Sequence, residues 1–170
     1  VGVFGYASIA VFDIDISSWD VSNVTTMKNM FVSLSSNCND AAGDNGPVFL
    51  TFNQDIGNWN VSKVTDMNGV FSRNHKFNQD IGNWNVSMVT DMSNMFETAQ
   101  FNQPIGNWDV SSVTNMSYMF EHYSAFNQDI GNWDVSSVTD MSYMFSENIS
   151  FNQPIGDWDV SSVTNMRNMF

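Results

Sequence analysis

Cationic side chains are scarce in this chain of 170 residues: 5 Lys and Arg stand against 18 Asp and Glu, for a formal charge of −13. Such a field repels phosphate backbones and anionic headgroups, so nucleic acid is not an expected partner. Cysteine is limited to Cys38, which excludes an internal disulfide or a thiolate zinc site and reads as a free thiol in an insertion. No apolar run approaches the roughly 18 residues a membrane span requires, so no membrane insertion is expected within this segment. Histidine is limited to His75 and His122, both between repeats, where a solvated surface role is expected rather than that of a base. No glycine-rich phosphate loop follows a strand pattern, no His/Cys cluster has ligand spacing, and Ser and Asp recur as structural columns. Catalytic residues and cofactors are therefore not expected, and the chain does not read as an enzyme.

What is abundant is repetition. "FNQDIGNW" begins at Phe52, Phe77 and Phe126, with "FNQPIGNW" at Phe101 and "FNQPIGDW" at Phe151. The tryptophans, Trp19, Trp59, Trp84, Trp108, Trp133 and Trp158, are spaced by 40, 25, 24, 25 and 25 residues. Around each, Phe stands seven before and Ile three before; Val, Ser, Val, Thr, Met and Phe stand two, three, five, six, eight and twelve after. A fixed period of this size defines a stacked repeat array. The reading is one solenoid segment over 1–170 of about six units, with a loop insertion at 32–51 between the first and second. Both ends fall within a unit, so the segment reads as an excerpt of a longer array.

Alternation of Phe, Gln and Ile before the Trp predicts a short strand. Ile14 replaces Gln in the first unit, which predicts that the Gln column faces inward and bonds along the stack. After the Trp, Val138, Met141, Met144 and Phe145 form an apolar stripe at i, i+3, i+6 and i+7, predicting a short helix that starts near Ser137 or Thr139. The expected core is Trp59, Trp84, Trp108, Trp133, Trp158, Phe77, Phe101, Phe126, Ile81, Ile105, Ile130, Met92, Met116 and Met141, shared between units that cannot stand alone. Asp55, Asp80 and Asp129 alternate with Pro104 and Pro154, which breaks a column of like charges spaced about 4.8 Å apart.

Two further columns carry oxygen ligands: Asp109, Asp134 and Asp159 with Asp20, Asn60 and Asn85, and Asp66, Asp91 and Asp140 with Asn115 and Asn165. The favoured reading is that they are turn residues bonding their own backbone. Ca²⁺ coordination is the minority alternative, since no loop has a complete calcium-ligand spacing. The glycosylation acceptor pattern occurs at Asn23, Asn60, Asn85, Asn115 and Asn148.

The run "WDVSSVTDMSYMF" resembles the core of the BspA-like leucine-rich-repeat surface proteins, over essentially the whole chain outside 32–51. That resemblance implies an α/β repeat solenoid, leucine-rich-repeat-like, with short parallel strands on one face and short helices on the other. It also implies an extracellular or cell-surface location and adhesion to a protein or glycan ligand. Gln where such repeats keep Leu, and Pro104 and Pro154 in two strands, predict partly irregular strands. The alternative function is a structural subunit that binds further copies of itself end to end in a filament or sheath.

Overall fold

A computed structural model describes residues 14–33, 52–122 and 124–170. Within them the repeats form stacked coils: coil 1 at 14–33, coil 2 at 52–76, coil 3 at 77–100, coil 4 at 101–125, coil 5 at 126–150 and coil 6 at 151–170. Most of the 32–51 insertion, with Cys38, lies outside the described residues.

The expected helices and strands do not form, and the α/β architecture is corrected accordingly. Among the described residues there is no helix, and strand-like pairing is confined to one residue per coil. The parallel bridges run Thr26 to Asp66, Asp66 to Asp91, Asp91 to Asn115, Asn115 to Asp140 and Asp140 to Asn165. The reason lies in where the amides go. After Asp140, the N–H groups of Met141, Tyr143 and Phe145 donate to Asn165, Arg167 and Met169 of the next coil. The alternate N–H groups, of Met144, Ser146 and Asn148, close four-residue turns onto Met141, Tyr143 and Phe145. No amide is left for an i to i−4 ladder. Apolar residues at i and i+3 therefore mark the first and last residues of successive turns, which a helix imitates at this length.

This alternation requires a left-handed residue ten after each Trp. Asn29, Gly69, Asn94, Tyr118, Tyr143 and Asn168 have φ between 49° and 63°, the third-position conformation of a type II turn. The column fourteen after behaves likewise at Arg73, Thr98, His122 and Glu147.

Each axially directed peptide joins three coils. The Asp91–Met92 peptide accepts from Met67 N–H of coil 2 through its carbonyl and donates through its N–H to Asn115 of coil 4. Four such lanes connect coil 2 to coil 3, and four connect coil 3 to coil 4. One lane, through Thr65, Thr90, Thr114, Thr139 and Thr164, points the other way.

Side chains complete the stack. Trp84, Trp108 and Trp133 donate their indole N–H to Ile56, Ile81 and Ile105 carbonyls one coil back, at 3.1 to 3.2 Å. Phe rings stack continuously: Phe96 lies 4.1 Å from Phe101 and 5.7 Å from Phe120. All fourteen residues named above as the expected core are buried. A Cβ at Gly106 would lie 2.5 Å from the Asp129 carbonyl oxygen of the next coil, so this close approach selects glycine.

The glutamines do not form an inward column. Ile14 is 67% exposed, and Gln79, Gln128 and Gln153 lie partly buried at the surface. They do bond along the stack, each donating from Nε2 to the Asn53, Asn102 or Asn127 carbonyl one coil back.

Candidate functional site: one edge of the stack

Columns that repeat are consumed by stacking and turns. Asp109, Asp134 and Asp159 each accept the N–H of the Ser two residues on through Oδ1. Asp66, Asp91 and Asp140 do the same for Asn68, Ser93 and Ser142. The second oxygen of Asp140 accepts from Asn165 Nδ2 at 3.1 Å. Hydrogen bonds from Ser136 and Ser161 hold the Asp134 and Asp159 carboxyls below the usual carboxylate range. Asp140 is also lowered: burial opposes its charge, and the combined bonds from Ser142 and Asn165 outweigh it. Among the described residues no group of three or more His, Cys, Asp or Glu is placed to hold a metal ion.

The glycosylation candidates separate by environment. Asn60 and Asn85 are exposed, with Oδ1 holding the amide and hydroxyl of Ser62 and Ser87. Asn23 is exposed and accepts from Lys63 Nζ at 2.8 Å. Asn115 is partly buried in the bridge column and holds Ser117. Asn148 is partly buried at the exit of coil 5, where it bonds Ser150 N–H, Phe151 N–H and the Phe126 carbonyl.

What the sequence reading missed is a cluster of side chains that differ from coil to coil, gathered on the left-handed columns and the turns beside them. Arg73 pairs with Glu97 at 3.3 Å, and Ser72 Oγ donates to the other oxygen of Glu97 at 2.6 Å. His122 Nδ1 lies 2.9 Å from Glu147, so this histidine is engaged with the next coil. Burial, and then the Lys76 charge, pull the His75 imidazole down. Glu121 stands between the two pairs. Burial first, then the charges of Glu97 and Glu147, push its carboxyl above the ordinary range, against the weaker pull of His122 and Arg73. Beside them Tyr118 and Tyr143 stack at 4.7 Å with planes 7° apart, and the Arg167 guanidinium lies 5.9 Å over the Tyr143 ring. The available signal was departure from the column consensus: Tyr where other coils have Asn or Gly, and Glu where others have Ser.

Fold and edge together define a class: a turn-built repeat stack whose core columns recur and whose left-handed columns and neighbouring turns vary from coil to coil. Residues 45–108 and 98–170 match the family described as "Mycoplasma protein of unknown function, DUF285". The chain belongs to that family. No curated protein and no solved structure matches it. Among the described residues no helix is long and apolar enough to cross a membrane.

Proposed function

We propose that the chain is an extracellular or cell-surface repeat protein that acts without catalysis, as an adhesion or binding scaffold presenting an acidic face to a protein or glycan ligand. The observation that carries this reading is the run of coil-specific contacts, Arg73 with Glu97, His122 with Glu147, and Tyr118 with Tyr143 and Arg167, on a stack whose repeated columns are spent on packing. In repeat proteins such margins are where binding is built on a fixed frame. The resemblance of "WDVSSVTDMSYMF" to BspA-like surface proteins supports the same role. The test is binding of the purified chain to arrays of matrix proteins and glycans. Saturable capture that weakens on substituting edge residues is expected; capture of nothing, across both arrays and at low salt, overturns the reading.

A second reading, a filament subunit, is favoured by the way coils join through main-chain lanes, four between coils 2 and 3 and four between coils 3 and 4, a mode of stacking that a further copy of the chain would extend. Sedimentation velocity across a hundredfold concentration range distinguishes the two. Concentration-dependent linear growth supports the filament, and a constant monomer removes it.

A further inference from the structure

The column ten residues after each Trp permits a comparison within one molecule. Every residue in it is left-handed, and coils 1, 3 and 6 supply Asn while coil 2 supplies Gly. These are the types that tolerate φ > 0 at least cost. Coils 4 and 5 instead place Tyr118 at 60° and Tyr143 at 58°. Asn would satisfy the backbone better, so the rings are held at a conformational cost. Their stack already accepts one cation, since Arg167 covers the face of Tyr143 that is turned toward coil 6. The opposite end of the stack is the Tyr118 face turned toward coil 3, where the column residue is Asn94 and no ring continues the column. Three residues beyond Tyr118 stands Glu121, on the same turn, its main-chain N–H donating to the Tyr118 carbonyl at 3.3 Å. Glu97 is held by Ser72 and Arg73, and Glu147 by His122.

Resting on the binding-scaffold reading above, we propose that Tyr118, Tyr143 and Glu121 form a docking site for an exposed Arg- or Lys-bearing protein segment, whose cation caps the tyrosine stack and pairs with the Glu121 carboxylate. An aromatic face and an acid carried on one turn recognise a side-chain cation through two attractions. The charge of −13 draws such a segment in and repels acidic competitors. Burial beside Glu97 and Glu147 makes the Glu121 charge costly in the free protein, and an incoming cation relieves that cost.

The experiment titrates the 170-residue chain by calorimetry with ten-residue Arg/Gly, Lys/Gly and Glu/Gly peptides and a neutral chito-oligosaccharide, and pairs each variant's affinity with its Tm. The Arg and Lys peptides should bind and the Glu peptide should not. Tyr118→Asn/Tyr143→Asn installs the residue coils 1, 3 and 6 already carry, so it folds. It should lose about tenfold in affinity for the Arg peptide while its Tm holds or rises. Glu121→Gln should lose a similar factor, and exposed Met88→Ser none. Undiminished binding by the double Asn variant overturns the proposal, as does a lowered Tm with affinity intact, which makes the stack a structural device only. Tyrosine-dependent binding of the neutral oligosaccharide without peptide binding also overturns it. If Asp134→Asn weakens the Arg peptide as much as Glu121→Gln does, this site falls and the broader acidic-face reading stands. Silence toward every peptide, glycan and matrix protein overturns both.

Discussion

At Glu121 a carboxylate is held where burial and the charges of Glu97 and Glu147 oppose its ionisation. Because its folded pKa is raised, the penalty is absent below the unfolded value near 4.5 and accumulates as pH rises toward the folded pKa. Glu121→Gln should therefore raise Tm at pH 7, with the gain disappearing below about pH 4.5; a gain that persists at pH 3.5 contradicts the electrostatic account. The aspartates carry the opposite sign. Asp15, Asp20, Asp134, Asp140 and Asp159 are lowered from 3.8, so their stabilisation is complete above the unfolded value and is lost as pH falls through the folded ones. Acid unfolding should steepen below that value, and Asp140→Asn should flatten it. Among core residues, Trp108→Ala should cost about 3–5 kcal/mol in chemical denaturation, because it opens a cavity and strips the Ile81 carbonyl of its indole donor.

The coil is where sequence reading succeeded and failed within a few residues of each other. Period, core columns and turn-forming Asp and Asn were legible because each depends on spacing and side-chain chemistry alone. The helix over "SSVTDMSYMF" was not, because its i, i+3 spacing is shared by a helix and by consecutive turns. Only the destination of the Met141, Tyr143 and Phe145 amides separates the two, and that depends on coil 6. The strand at "FNQDIGNW" failed for a related reason. The Asp80 carboxylate takes the Gly82 N–H, and Asn53 Oδ1 takes the Asn78 N–H, so side chains occupy donors that a sheet would use. The coil-specific edge was overlooked because attention to what repeats hides what does not. Asp140→Ala tests the element: it leaves the amide and hydroxyl of buried Ser142 without their acceptor and should cost about 1–3 kcal/mol. Gly106→Ala should cost about 1–3 kcal/mol through the Asp129 carbonyl it displaces. A change below about 0.5 kcal/mol, the size of a neutral surface substitution, would mean that the coils can slide apart freely at that point.

Across the whole molecule, acidic side chains stack in register along a rod with few compensating cations. Divalent ions should raise Tm by screening this field, and NaCl at matched ionic strength should recover most of the effect. A gain specific to Ca²⁺ would instead require coordination by the aspartate columns, and melting in EDTA checks the same point from the other side. The axial peptides carry a different consequence. Each has a dipole of about 3.5 D, and in four lanes between coils 2 and 4 these dipoles share one direction, opposed by the threonine lane alone. Unlike a β-sheet, whose peptides alternate and cancel, this rod is an arrow, electropositive toward its later coils and electronegative toward its earlier ones. Two rods lying side by side favour opposite headings, and two meeting end to end favour the same heading, so any growth by end addition is head to tail, through a heterologous and not a two-fold contact.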